Sequence, residues 1–205
     1  MPDDPSLKAA KQDLRTRALV ARDQLRASYR ASCAEKLLDY QDIFGDVNGK
    51  IVSGFLPIRS EIDAQPLMNA LRDKGALLCL PAVADNTTIE FRAYDNESTL
   101  VEAGFGTLAP PADARVLDPE VMMVPLSVFD TYGGRIGYGA GYYDRAIARL
   151  VAAGRPPLTV GLAFALQEVP LVPQDEHDIR LDYIVTHEGV ITPEAYPVLS
   201  AQGDE

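Results

Sequence analysis

The chain has 205 residues, 47% of them apolar and 24% charged, and its 30 acidic against 19 basic residues leave a formal charge of −11. Such a composition fits a globular protein with enough apolar residues for a buried core. The acid excess excludes whole-surface binding of nucleic acid or of an anionic membrane, both of which need a basic footprint; a small anionic ligand stays open, because charge is screened over roughly 8 Å at physiological salt. The basic residues are concentrated at one end. Residues 1–36 hold eight (Lys8, Lys11, Arg15, Arg17, Arg22, Arg26, Arg30 and Lys36) against five acidic ones, so a +3 segment precedes a −14 remainder. Taken alone, this segment reads as a solvated helix face. Cys33 and Cys79 are too few for a disulfide framework or a zinc site, and Pro81 breaks the longest apolar stretch, so a reducing cytoplasm and no membrane span are expected. With no low-complexity linker and no internal repeat, residues 1–205 read as one domain: a basic helical segment at about 7–40, then an α/β body at about 50–192.

Leu7, Ala10, Leu14 and Ala18 recur at helical spacing, predicting one or two amphipathic helices over 7–40 with a break near 23–28. Residues 51–56 read as a short buried strand. Asp63 then caps a helix over 64–74, with Leu67 and Leu71 on one face and Gly75 as its stop. Strands are predicted at 77–80, 89–94 and 121–126. A helix over 140–153 places Ala146, Ile147, Leu150 and Val151 on one side, and Gly154 and Pro156 end it. Late strands follow at 158–164 and 183–186. Short apolar strands interleaved with helices predict an α/β fold whose mostly parallel sheet is covered on both faces.

The most informative stretch runs from Gly133 through Arg135 to Arg145, with five glycines in the nine residues 133–141, after a strand and at the start of a helix. Glycine lets a ligand approach the backbone closely, and the first N–H groups of a helix have no intrahelical partner, so together they can cradle an anion. The dinucleotide fingerprint fails because Tyr142 stands where glycine is needed, and the Gly-Lys-Ser/Thr of a Walker loop is absent. The alternative is a turn needed only for tight strand-to-helix packing. Arg135 favours a phosphate site, since guanidinium forks onto phosphate oxygens. Asp144, in the first helical turn, complements the helix dipole or holds Mg²⁺ beside the phosphate. A second carboxylate would come from Asp175-Glu176-His177-Asp178, which by itself reads as a solvated loop. No serine elbow or Cys-His pair suggests a side-chain nucleophile.

With these residues, the sequence resembles the 5-formyltetrahydrofolate cyclo-ligase family over roughly residues 8–187. Residues Gly134 to Arg145 follow that family's most specific signature. Lys11 and Arg15 match its basic helix. Glu61-Ile62-Asp63, Val124-Pro125, Phe129-Asp130, the Gly161 to Phe164 run, Gln167, Pro170, His177-Asp178 and Asp182 occur in matching order. The resemblance implies a Rossmann-like fold of the sugar-phosphate isomerase and CoA-transferase type. It also implies an ATP- and Mg²⁺-dependent ring closure of 5-formyltetrahydrofolate, with or without a polyglutamate tail, to 5,10-methenyltetrahydrofolate, ADP and phosphate, in a monomer or weak homo-oligomer. By resemblance Lys11 and Arg135 are catalytic. Lys11, Arg15, Arg135, Ile136, Gly137, Tyr138, Gly139, Ala140, Gly141, Tyr142 and Tyr143 bind ATP, and Asp144 and Asp178 hold the metal. Leu56, Glu61, Tyr138, Gly139 and Tyr142 contact the folate, where a carboxylate can pair with the pterin's amino and ring N–H donors.

Two positions depart from the family pattern. Gly106-Thr107-Leu108-Ala109-Pro110 lacks a glutamate that is frequent before the proline, and Ala140 stands where glycine or lysine is usual. The first leaves room for a paralogue of the same fold with another pterin or phosphate substrate; a non-catalytic ligand-binding relative is a further alternative, against which Lys11, Arg135, Asp144 and Asp178 all being present argues.

Overall fold

The computed structural model describes residues 4–95, 99–103 and 107–195; Gly106, one of the departures from the family pattern, lies outside them. Helix α1 spans Pro5–Asp23. Asp4 caps it, its Oδ1 accepting from the Ser6 N–H at 2.9 Å, and Pro5 occupies the first turn, where a missing N–H is harmless. The break falls at Gln24–Arg26 and is followed by α2 (Ala27–Lys36), a 3₁₀ helix (Leu37–Phe44) and a stop at Gly45, whose φ is +63°.

The body then alternates strands and helices: β1 (Ile51–Ser53), α3 (Gln65–Asp73), β2 (Leu77–Val83) and β3 (Ile89–Ala93). The short strands β4 (Val101–Glu102), β5 (Leu108–Ala109) and β6 (Val116–Leu117) precede β7 (Val121–Pro125). A hairpin of β8 (Val128–Phe129) and β9 (Arg135–Ile136) leads into α4 (Tyr142–Ala152). Strand β10 (Leu158–Leu162), a 3₁₀ turn (Ala165–Gln167), β11 (Tyr183–Thr186) and β12 (Gly189–Ile191) complete it.

Eight strands form one sheet in the order β12-β11-β10-β7-β1-β2-β3-β6. The pairings from β11 to β2 are parallel; β12, β3 and β6 join antiparallel at the two sides. The expected mostly parallel sheet is therefore present, with antiparallel margins. Its faces follow the two-residue period of the strands. Leu78, Leu80, Val121 and Met123 face α2 and α3, whereas Cys79, Met122 and Val124 face α4. Burial of these alternating side chains, each contributing about 1.5–3 kcal/mol, clamps the helices to the sheet.

Several expected bounds shift: the helix expected over 140–153 spans Tyr142–Ala152, and the strand expected over 158–164 ends at Leu162. The strand predicted over 51–56 ends at Ser53. The strand predicted over 77–80 runs on through Pro81 to Val83, because Pro81 lies past the last β1 pair, Ser53 with Cys79, so one edge of β2 there has no strand to receive an N–H. Asp63 accepts from the Gln65 N–H at 2.9 Å, but Ala64 stands at the N-cap, because α3 starts one residue later than predicted and leaves Asp63 one position before the cap. Helix α4 buries Ala146, Ile147 and Leu150, but Val151 is 52% exposed, having rotated one position off the buried stripe.

Candidate functional site

Open α/β sheets bind ligands in the crevice outside the carboxyl ends of their parallel strands. Here β1 leads to Glu61, β7 to the glycine loop, and the chain after β10 to Asp175–Asp178. Helix α1 lies across that edge. Its Leu14 and Ala18 pack on Val128, Ile136 and Val172, so Ile136 is a docking residue for the helix, buried at 3% exposure.

Asp130 fixes the base of the loop. Fully buried, its carboxylate accepts from the backbone N–H groups of Tyr132 and Gly134 on one oxygen, at 2.9 and 2.8 Å, and of Val172 on the other, at 2.8 Å. A Cβ on Gly134 would stand 2.8 Å from Asp130 Oδ2 and 2.5 Å from Gln174 Nε2, so this glycine serves close packing. The later glycines differ. Gly139 and Gly141 have φ of +100° and +66°, which L side chains adopt with strain, and a Cβ on Gly137 would meet nothing within 4 Å. The loop thus starts as a packing turn and leaves open space at Gly137, while the Arg15 and Arg145 guanidiniums lie against Gly139 and Gly141, at 3.2 and 2.8 Å from where a Cβ would stand. Gly141 is the N-cap of α4, whose first turn carries Asp144.

The side chains of α1 close on this loop. Arg15 donates from Nε to the Gly137 carbonyl at 2.6 Å and from Nη1 to Gln12 Oε1, and burial lowers its pKa. Lys11 Nζ pairs with Asp175 Oδ2 at 2.8 Å and with Asp178 Oδ2. Burial works against the ammonium, yet the two carboxylates hold its pKa above the usual lysine value. Lys11 in turn holds Asp175 below the ordinary carboxylate range. The Asp175 N–H donates to Asp178 Oδ2 at 2.8 Å, so the acidic segment is a folded turn.

Arg135 points inward, its side chain 5% exposed. Nη1 donates to the Ile179 carbonyl and Nη2 to Asp144 Oδ1 at 2.8 Å, and the same Asp144 oxygen accepts from the Ile179 N–H at 3.0 Å. Asp144 is thereby held at Ile179, the residue that follows Asp178 in the chain, and Asp144 Oδ2 is spent in neither contact. Carboxylates suit Mg²⁺, which takes one or two together with water and phosphate oxygens. Among the described residues no cluster of three or more His, Cys, Asp or Glu side chains could cage an ion unaided.

A second group lies beside the loop. Glu61 is 6% exposed; Oε2 accepts from the Ile58 N–H at 2.8 Å, while Oε1 is buried with no hydrogen-bond partner among the described residues. Burial pushes its carboxyl up, and the Ile58 N–H and Arg22 act in the opposite direction. Tyr138 stands next to it, 42% exposed, with a phenol raised by burial and by Glu61. Leu56 is half-buried on the adjoining core. Of the remaining expected contacts, Tyr142 donates to the Asp85 carbonyl at 3.3 Å under the Arg145 guanidinium, 5.4 Å from its ring centroid. Ala140 is exposed and its carbonyl accepts from Arg145 Nη2 at 2.7 Å. Tyr143 turns inward against Phe91, its hydroxyl buried and its pKa raised by burial. The structure thus gathers Lys11, Arg15, the 137–141 backbone, Asp144 and Asp178 on one side and Glu61, Leu56 and Tyr138 on the other, and turns Ile136 and Tyr143 into the packing beneath.

Residues 7–187 match the model of the 5-formyltetrahydrofolate cyclo-ligase family. The chain belongs to that family. An Escherichia coli 5-formyltetrahydrofolate cyclo-ligase is 32% identical over 178 residues, covering 84% of this chain and 94% of its own length. A Mycolicibacterium smegmatis protein of the same name is 28% identical, covering 86% and 93%. The solved structure of Aquifex aeolicus 5,10-methenyltetrahydrofolate synthetase superposes with a TM-score of 0.75 at 27% identity, covering 94% of this chain and 97% of that one. These relatives are enzymes, and the fold and the order of motifs of this cyclo-ligase are theirs.

Sequence reasoning gave no site role to one residue of this cyclo-ligase. Arg22 is 1% exposed. It donates from Nε to Ser60 Oγ at 3.1 Å and from Nη2 to the Tyr138 hydroxyl at 2.8 Å, while Nη1 is buried without a partner among the described residues. The signal was present in the spacing: Lys11, Arg15 and Arg22 are four and seven apart, hence on one helix face.

Proposed function

We propose that this chain catalyses the ATP-dependent closure of 5-formyltetrahydrofolate to 5,10-methenyltetrahydrofolate, releasing ADP and phosphate, with Mg²⁺ bound. The observation that carries this reading is that one helix brings Arg15 to the Gly137 carbonyl and Lys11 to Asp175 and Asp178, with Asp144 held at Ile179, the residue after Asp178, and a buried carboxylate, Glu61, beside Tyr138 of the loop.

The N5-formyl group is an amide-like carbonyl, a poor nucleophile at oxygen and a poor electrophile at carbon. Its oxygen attacks the γ-phosphorus of ATP, ADP leaves, and the resulting phosphorylated imidate has a good leaving group on carbon. N10 attacks that carbon, the C–O bond breaks, phosphate leaves and the N10 proton is lost, giving the conjugated methenyl bridge. No protein nucleophile is required; the work is positioning and neutralisation of charge.

Each residue has a part in that work. The N–H groups of 137–141 and of the first turn of α4 face phosphate oxygens. Arg15, tied to the Gly137 carbonyl, supplies positive charge at the loop, and Lys11, held by Asp175 and Asp178, supplies a second charge that transfers to phosphate oxygens when ATP binds. Asp144 and Asp178 would hold Mg²⁺, which supplies charge neutralisation across the phosphates. Arg135 positions Asp144 and the Ile179 backbone. Glu61 Oε1 accepts from the pterin's amino and ring N–H groups, with Leu56, Tyr138 and Tyr142 as its flanking surface. The buried free thiols Cys33 and Cys79, the latter pushed up to about 12 by burial, fit a reducing cytoplasm. Among the described residues no helix is long and apolar enough to cross a membrane.

The test is direct. Purified protein is mixed with 5-formyltetrahydrofolate and Mg-ATP, and the near-ultraviolet absorption of the methenyl product is followed. Product that depends on ATP is expected; folded protein that forms none refutes the reading.

A further inference from the structure

Two buried polar atoms with opposite hydrogen-bonding character lie unused next to Tyr138. One is the donor Arg22 Nη1, the other the acceptor Glu61 Oε1. Arg22 and Glu61 both engage the Tyr138 hydroxyl, Arg22 by donating to it from Nη2 at 2.8 Å and Glu61 by a side-chain hydrogen bond and by its charge, while Arg22 Nη1 and Glu61 Oε1 stay outside these contacts. A guanidinium N–H and a carboxylate oxygen that are both desolvated and unpaired are costly to keep, and a ligand that completes both accounts for their being side by side with Tyr138. The rest of Arg22 is fixed: Ser60 takes Nε and is itself held by Asp23, and Tyr138 takes Nη2. This leaves Nη1 as a preset donor.

A 2-amino-4-oxopyrimidine edge, as in a pterin, offers two adjacent N–H donors and, next to them, one carbonyl acceptor. The carboxylate satisfies the donors but leaves the carbonyl unread. We propose that Arg22 is a specificity-determining residue of the folate site, its Nη1 donating to the pterin 4-oxo group while Glu61 accepts from the 2-amino and N3–H donors. This rests on the proposed folate reading and adds a residue to it. Arg22 then selects oxo over amino at position 4, since a 4-amino group presents donors to a donor.

The test compares 5-formyltetrahydrofolate with its 4-amino analogue by kcat/KM for methenyl formation, in the wild type and in Arg22→Gln. The wild type favours the 4-oxo compound. Arg22→Gln lowers the 4-oxo over 4-amino ratio by about 10- to 100-fold, the loss expected for a hydrogen bond to a charged donor. A ratio is independent of the fraction of folded protein, which a role limited to packing would change instead. Arg22→Lys keeps the charge but has one ammonium to share among Ser60, Tyr138 and the ligand, so it must lower the ratio too, and it carries the test if Arg22→Gln does not fold. Wild-type turnover of 5-formyltetrahydrofolate without 4-oxo preference, or a ratio unchanged within about twofold in either folded variant, overturns the assignment of Arg22 alone. A folded wild type that does not turn over 5-formyltetrahydrofolate overturns the folate reading and the assignment with it.

Discussion

Asp144 makes its structural contacts through one carboxylate oxygen, Oδ1, and the proposed metal role falls to the other, so Asp144→Asn tests both. Its Oδ1 accepts from Arg135 Nη2 at 2.8 Å and from the Ile179 N–H at 3.0 Å, and the two charged side chains are 5% and 24% exposed. Asparagine keeps an acceptor oxygen but removes the charge that balances a nearly buried guanidinium. Removing one partner of a buried pair altogether costs roughly 3–5 kcal/mol. Partial exposure of Asp144 and the retained acceptor reduce this to about 2–3 kcal/mol, equal to the loss of a charge-assisted hydrogen bond. At about 2–4 °C per kcal/mol for a chain of this size, Tm should fall by about 4–12 °C. In an assay at a temperature where the variant is folded, KM for Mg-ATP should rise more than KM for the folate. A double-mutant cycle with Arg135→Met supplies the control: the two changes should couple by at least about 1 kcal/mol, since the residues share one contact. Additive stabilities, with Tm unchanged within about 2 °C, would refute the buried pair. An equal rise of both KM values would refute the assignment of Asp144 to the metal and phosphate side.

Three further outcomes are expected. Gly137→Ala has open space around the new methyl, so Tm should stay within about 2 °C while KM for ATP rises at least tenfold; Gly139→Ala, at φ +100° and 3.2 Å from Arg15 Nη2, should in addition lose about 1–2 kcal/mol in denaturant melts. Unchanged ATP use in Gly137→Ala would show the loop to be a packing turn throughout. Lys11→Met should raise KM for ATP by about 10- to 100-fold in the methenyl absorption assay, because it removes a cation and leaves Asp175 and Asp178 uncompensated beside the proposed phosphate site. Glu61 has a raised folded pKa, so folding binds its proton more tightly and the stability it adds is full below the unfolded glutamate value, near 4.3, and lost as pH rises through the folded one. Thermal melts should therefore show the wild type losing stability relative to Glu61→Gln over that rise, while Glu61→Gln loses folate affinity; parallel melting curves across pH would contradict the buried, unpaired carboxylate.

The central strands and helices α3 and α4 were legible because each carries its own pattern: an apolar run for β7 and β10, and a buried stripe of Leu67 and Leu71 in α3. The hairpin of β8 and β9 was not, since two-residue strands hold no period; their pairing is set by Asp130, whose three backbone contacts no local pattern reveals. The site was legible where its chemistry is local, as in the glycine loop. Asp178 was marked only by resemblance, because its proximity to Asp144 arises from the chain's return through Ile179. Arg22 is one of eight basic residues in this segment; its spacing puts it on the face of Lys11 and Arg15, and tertiary packing adds that it is buried. Ile136 and Tyr143 lie within the signature yet face inward, for a signature marks both the ligand-facing and the supporting positions of a loop.

Asp130 ties together two walls of the site that are 40 residues apart in sequence. One oxygen holds the loop that starts at Tyr132 and Gly134, and the other holds Val172, at the head of the segment that leads to Asp175 and Asp178. The cradle and the acidic turn are therefore one mechanical unit hung from a single carboxylate. The charges of α1 are not fastened in the same way: Lys11 reaches the acidic turn, and Arg15 the Gly137 carbonyl, through their own long side chains, so the cations can be repositioned without disturbing the unit that Asp130 holds.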